Sequence, residues 1–266
     1  MSLFPKFKTS LGNYLMTLLS VMRIAHENGE NWYACDRTFT SFFSDRDCYR
    51  KKPIKGSEIV SERAIVLKNS EFNADTMGFH SKYNDDLVFV YQSKPFVNLP
   101  RNVKLWYQNA FQSFVVRDIL QYEVSKYDPQ VGMHIRTFKA TFNPGANNEL
   151  SHKLHTVFSR YLVEFEEILQ TLESVFLCCD DIQVIEYLRE KYPGTKIMTY
   201  TRNECLSSIE NDFIEFMILS KCKRLYGTYF STFSEVCYLI SDNVEEYTSI
   251  PVDYEPVRRD ILAILE

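Results

Sequence analysis

The stretch V131-G-M-H-I-R-T-F-K-A-T-F-N-P-G145 begins as a buried strand and then places His134 and Arg136 where that strand should end. A histidine and an arginine at a strand terminus, ahead of a loop with Pro144 and Gly145, invite a reading as chemistry rather than core. The downstream sequence gives the stretch its context. After it come an apolar helical pattern (Phe158, Tyr161, Leu162, Phe165, Ile168, Leu169, Leu172), strand SVFLCC, helix DIQVIEYLREKY and strand TKIMTY. Helix NDFIEFMILSKC, strand RLYG and helix TFSEVCYLIS complete the series. Strands alternating with amphipathic helices predict parallel β-α units. A doubly wound sheet binds its ligand beyond the carboxyl ends of its strands, so those ends are where chemistry is expected.

Working outward, the first half is less regular. LGNYLMTLLSVMRIA (11–25) predicts an amphipathic helix from about Gly12 to Asn28, stopped by Gly29. AIVLK (64–68) and LVFVY (87–91) read as buried strands, and VKLWYQNAFQSFVVRDILQYEVSKY as one long helix. Residues 40–85 read as loop-rich, and VRRDILAILE as a final helix. The expected architecture is α/β with two Rossmann-type lobes, residues 1–128 and 129–266, divided near Asp128-Pro129.

Composition narrows the function. The chain has 266 residues, 45% of them hydrophobic, enough for a sizeable core. Its net charge of −5 divides into +3 for residues 1–130 and −8 for the remainder, so neither half carries a nucleic-acid footprint. The dense basic run Arg46, Arg50, Lys51, Lys52, Lys55 reads as a solvated loop. Seven cysteines, an odd number without a C-x-x-C pair, suggest a reducing compartment and no structural zinc. Residues 11–25 are too short and too interrupted (Asn13, Thr17, Ser20, Arg23) to span a bilayer. With no secretory leader pattern, the expectation is a soluble, cytoplasmic protein.

Four strand ends carry candidate groups. Arg136 offers a planar fork of donors suited to a diphosphate, with His134 beside it. Asp180 and Asp181 could accept from ribose hydroxyls or guanine N–H groups, or cap the next helix. The third end leads into TYTRNE. The fourth places Gly227, Thr228, Ser231, Thr232 and Ser234 before a helix, which is either ordinary capping or an anion site. Together these ends favour a nucleotide diphosphate.

The same residues resemble the motifs of the GDP-fucose-dependent fucosyltransferase superfamily, which includes the α1,2-, α1,6- and protein O-fucosyltransferases. H-x-R appears as His134-Ile135-Arg136, the acidic pair as FLCCDD (176–181), and the last motif as EFMILSKCKRLYGTYFSTFS (215–234). A glycine-asparagine pair opening the first helix appears as Gly12-Asn13. The resemblance implies a GT-B-like fold and an enzyme of glycan biosynthesis. That enzyme would be an inverting fucosyltransferase, moving fucose from GDP-fucose to a glycan or glycoprotein hydroxyl without a cofactor or metal. It implies that Arg136 clamps the diphosphate and His134 lies near the nucleotide. It also implies that Thr228, Ser231, Thr232 and Ser234 line the phosphate site, and that Asp180, Asp181 and Glu215 contact ribose or guanine. Asn13 would reach the sugar. The pattern departs at Thr137, where a second arginine is common; Lys139 and Arg202 are candidates to supply that charge. No general base is identified, and Asp36 and Glu149 are placeholders only. Besides a plain α/β domain of unrelated function, two other readings remain. One is a metal-dependent glycosyltransferase using Asp45-Arg46-Asp47 or Asp180-Asp181, and the other a nucleotide- or glycan-binding relative without catalysis.

Overall fold

The computed structural model describes residues 2–5, 10–27, 29, 31–32, 34, 37–44, 64–67, 87–90, 101–137, 156–157, 159–229, 231–253, 256 and 259–260. Among them lie two all-parallel sheets. The first is built from β1 (Ser2–Pro5), β2 (Asn31–Trp32), β3 (Ala64–Leu67) and β4 (Leu87–Val90), in the order β2-β1-β4-β3. The second contains β5 (Val131–Ile135), β6 (Ser174–Cys179), β7 (Lys196–Met198), β8 (Arg224–Thr228) and β9 (Glu246–Ile250). Its order is β7-β6-β5-β8-β9. The expected α/β class holds. The chain starts this sheet in the middle, extends it one way through β6 and β7, then returns to the other side of β5. The reversal falls between β5 and β8, and in open α/β sheets the ligand crevice lies beyond the strand ends at such a point.

Helices cover both faces of the second sheet. On one lie α5 (Leu162–Leu169) and α6 (Ile182–Lys191), packed on Val131, Met133 and Ile135. On the other lie α7 (Ser208–Leu219) and α8 (Thr232–Ile240). Strand alternation sends Gly132 and His134 to that second face. The helices come close because two strand residues lack side chains. A Cβ on Gly132 would lie 2.8 Å from Cys222 Sγ, and one on Gly227 would lie 2.4 Å from Ser234 Oγ.

The α7/α8 face joins the first half of the chain. Its core cluster includes Phe213, Phe216 and Val236, and continues into α1 (Leu11–Glu27), α2 (Arg37–Phe42), α3 (Arg101–Gln112) and α4 (Asp118–Ser125). Phe42 stacks on Phe213 with centroids 4.3 Å apart. The core is thus continuous across residue 128.

Three expectations are corrected. α1 is not amphipathic: residues 11–22 are buried apart from half-buried Asn13. Thr17 and Ser20 are tolerated inside because their hydroxyls donate to Asn13 O and Met16 O, both at 2.8 Å. The long helix is two, α3 and α4, broken at 113–117. There Val116 bridges Phe43, while Ser44 N donates to Val115 O and Arg117 N to Phe42 O. Tertiary bonds replace helical ones at a β-branched Val-Val pair. The helical pattern around 152–172 likewise gives α5 only from Leu162, with a separate turn before it. A fourth difference is the start of α7, three residues ahead of the expected Asn211, at Ser208, on a capping box between Ser207 and Glu210. The expected Gly29 stop is present at φ +66°, a left-handed value that glycine adopts freely. Most of VRRDILAILE, the basic run 46–55 and Asp45-Arg46-Asp47 lie outside the described residues.

Candidate functional site

The crevice at the reversal point collects most of the residues that the sequence motifs single out. His134, at the end of the central strand, is in register with Gly227 on β8 and Cys178 on β6. Its ring is buried and stacks on Phe233 of α8, centroids 4.8 Å apart and 23° from parallel. Burial, reinforced by the charge on Arg136, pushes its pKa down to about 3, so the imidazole is neutral. Its Nδ1 is buried with no hydrogen-bond partner in the structure.

Arg136 and Thr137 leave the sheet beside it. Arg136 N donates to Thr228 Oγ1 at 2.8 Å, and Thr228 Oγ1 donates to His134 O at 3.0 Å. The Thr228 hydroxyl therefore ties β5 to β8. Asp180 Oδ1 accepts from Thr137 N at 2.7 Å and from Thr137 Oγ1 at 2.8 Å. Asp180 Oδ2 lies 3.1 Å from Arg136 Nη1, orienting a guanidinium that is one quarter exposed. Asp181 turns away and caps α6, accepting from Gln183 N at 3.0 Å. The two aspartates thus divide the alternative duties expected of them. Thr137, notable in the sequence only as a missing arginine, is what fixes Asp180.

The N-terminus of α8 follows β8 directly, with Ser231 N donating to Thr228 O at 3.1 Å. Ser231 is its N-cap residue, yet its side chain makes no capping bond. The amides of the first turn therefore lack that acceptor, as anion-binding helix ends do. Ser234 faces inward and is fully buried against Gly227, donating to Ser231 O at 3.4 Å. Helix α1 meets this turn end-on. A Cβ on Gly12 would lie 2.6 Å from Phe233 N and 2.7 Å from Thr232 Oγ1, so even a methyl group there would crowd the amide. Asn13 follows directly, half-buried. Composition alone does not show this contact; the Gly-Asn pair opening a helix is its only trace in the sequence.

Glu215 sits on α7, alongside Cys178. Cys178 Sγ donates to its carboxylate at 3.7 Å, and Arg202 Nη2 lies 3.4 Å away. Burial pushes the carboxyl up to about 7, against the pull of Arg202. Arg202 also donates to Asp212 at 2.6 Å, so it serves these carboxylates rather than supplying the missing charge beside Arg136. Lys139, Asp36 and Glu149 lie outside the described residues.

A parallel sheet with a reversal point and helices on both faces is the doubly wound α/β arrangement. Solved structures make the class more particular. No family model and no curated protein sequence matches the chain. Its fold, however, is that of GT-B fucosyltransferase structures. It is similar to FUT1 of Arabidopsis thaliana in complex with GDP, at TM-score 0.62 and 15% identity over 93% of this chain and 69% of that one. It is similar to the fucosyltransferase NodZ from Bradyrhizobium, at TM-score 0.58 and 13% identity over 95% and 96% of the two chains. It is also similar to POFUT1 in complex with GDP-fucose, at TM-score 0.58 and 13% identity over 94% and 98%. Among the described residues no helix is long and apolar enough to cross a membrane.

Proposed function

We propose that the protein is a glycosyltransferase of the GDP-fucose-dependent superfamily, transferring fucose from GDP-fucose to a hydroxyl of a glycan or glycoprotein with inversion and without a metal. The observation that carries this reading is that Thr228, at the reversal point of the sheet, joins Arg136 to the uncapped start of α8, its Oγ1 accepting from Arg136 N and its O from Ser231 N.

In such a transfer the bond from the sugar to the β-phosphate breaks and the diphosphate gains charge. Arg136, preset by Asp180, and the amides of the Ser231–Thr232 turn meet that charge as it develops, so they act mainly on the transition state. His134 stays neutral and offers a ring nitrogen to the nucleotide. Glu215, buried and titrating near neutrality, is placed to accept from ribose or from the base. Thr228, Asp181 and Ser234 hold the frame behind these groups through their hydrogen bonds to His134 O, Gln183 N and Ser231 O. Asn13, carried on α1 to the α8 junction, reaches the sugar from the first half of the chain.

The test is calorimetric titration with GDP, GDP-fucose and UDP, with and without chelator. Binding of GDP and GDP-fucose, unaffected by chelator, supports the proposal. Binding of UDP only with divalent metal would replace it with the metal-dependent reading. Binding of GDP-fucose without any release of GDP to water or acceptor would make the chain a non-catalytic relative.

A further inference from the structure

The seam between α8 and β9 holds a buried polar cluster that the diphosphate site does not use. Residues in register across parallel strands share a face of the sheet, so Tyr247 and Ser249, in register with Leu225 and Gly227, lie on the α7/α8 side. The Tyr247 hydroxyl reaches the glycine gap there, where a Cβ on Gly227 would lie 2.9 Å from it. The Tyr247 ring stacks on Tyr238 of α8, centroids 5.1 Å apart and 14° from parallel. Glu235 stands about one turn earlier on the same helix, buried, its N donating to Ser231 O at 3.4 Å. Burial raises the pKa of the Tyr247 phenol, and the nearby Glu235 charge raises it further. Glu235 Oε2, the Tyr247 hydroxyl and Ser249 Oγ are buried without a well-formed hydrogen bond among the described residues.

Glu235 is under two opposed influences. The positive end of a helix favours a carboxylate in its first turn. Burial without a donor or a cation penalises that carboxylate. Burial decides, and the carboxyl is pushed up to about 8. No charge on the elements around α8 acts on it. Lys104 of α3 lies over the Tyr238 ring, 3.5 Å from its centre, and Arg23 of α1 lies over Tyr107 of α3. Glu215 of α7 faces Arg202, His134 of β5 is neutral, and Cys222 and Cys237 are held as thiols by burial. Tyr14 of α1 is a phenol, and β8 presents only Leu225 and Gly227 on this face.

The turn that carries Glu235 is the one whose amides meet the diphosphate in the functional reading above. An ionised Glu235 is therefore a second anion on one helix end. We propose that Glu235 is a positioning residue that couples diphosphate binding to a proton: as the acid it leaves the positive end of α8 to the ligand, and as the carboxylate it competes with the ligand for that end. The inference rests on the nucleotide-diphosphate reading and adds a residue that no sequence motif singles out. By linkage, a diphosphate bound at α8 holds the Glu235 proton to higher pH, so binding near that titration takes a proton up from solvent.

The experiment is calorimetric titration of the unaltered protein, Glu235→Gln and Tyr247→Phe with GDP across about pH 6.5 to 9.5, in paired buffers of different ionisation enthalpy that read proton uptake. Titration of GDP itself is common to the three proteins and cancels in their differences. The unaltered protein should lose affinity by about 5- to 10-fold more than Glu235→Gln as pH rises, and should take up more protons on binding. At the acid end the two should bind alike. Tyr247→Phe, which removes a hydroxyl beside the acid, should move the loss to higher pH. Parallel profiles and equal proton uptake in the unaltered protein and Glu235→Gln would overturn the inference while leaving the GDP site standing. Should Glu235→Gln fail to fold, a Tyr247→Phe profile superimposed on that of the unaltered protein would overturn it instead. Failure of GDP to bind at any pH would remove the functional reading together with it.

Discussion

The two faces of the second sheet are built from the same strands and do different things. The α5/α6 face receives Val131, Met133 and Ile135 from β5 and closes over them with Phe165, Leu169, Ile185 and Leu188. The α7/α8 face receives Gly132 and His134 from the same strand. It carries the buried imidazole, the Cys178–Glu215 pair and the uncapped helix turn, and it extends the core into the first half of the chain. One residue of alternation separates the apolar face from the face that holds His134. Close backbones exclude water from this face, which penalises the charged forms of His134 and Glu215, and the two strand glycines allow that approach.

The largest test of this contrast is Phe42→Ala. Its ring is fully buried and stacked on Phe213, so the joined face should lose about 3–5 kcal/mol in denaturant unfolding. A loss below about 1 kcal/mol would mean that the two halves do not share a core. Next is Arg136→Ala, expected to lower donor turnover by about 10²- to 10³-fold, with circular dichroism unchanged. Turnover near the unaltered level would remove the clamp from the proposal. Gly12→Ala comes third. A methyl group against the Phe233 amide must displace α1 or α8, at about 1–3 kcal/mol. Its Tm should fall by several degrees and its GDP affinity with it. A fall in Tm with GDP affinity intact would separate the helix junction from the anion site.

The smallest effect concerns pH. Glu235, in the first turn of α8, is buried with Oε2 unpartnered, and burial raises its pKa from 4.5 to about 8. The folded protein therefore holds this proton up to about pH 8, whereas the unfolded chain releases it near 4.5. Between those values the folded state binds more protons, so stability declines as pH rises through the window. Glu235→Gln should raise Tm at about pH 9 and leave it unchanged at about pH 4. His134 has the opposite sign. Its pKa is lowered from 6.5 to about 3, so its contribution is present above 6.5 and lost as pH falls towards 3. A Glu235→Gln variant whose Tm runs parallel to the parent across that whole range would refute the buried-acid account.

The second sheet is legible in the sequence because fully buried parallel strands leave short apolar runs, such as VFLCC, between helical patterns. β9 is not: EYTSI is an edge strand with three of its five residues polar, and nothing in it separates strand from loop. β1 and β2 are four and two residues long and carry no period. The capping box of α7 is present as Ser207-x-x-Glu210 but stands apart from the apolar run, which starts later. In the site, the residue types at the strand ends are legible, but their division of labour is not. Sequence spacing gives no indication that Thr228 bonds across the sheet or that Asp181 caps while Asp180 orients Arg136. The stacking of Phe233 on His134, 99 positions apart, depends wholly on the parallel return of the chain.

The continuous core has a consequence for how this chain can be taken apart. A fragment beginning near residue 129 would keep all five strands of its sheet and every hydrogen bond between them. It would also present Phe213 and Phe216, stripped of Phe42, Phe43 and Phe111, to water on one side. Such a fragment is a bare adhesive plate, prone to self-association, so α1 to α4 act towards it as a built-in chaperone.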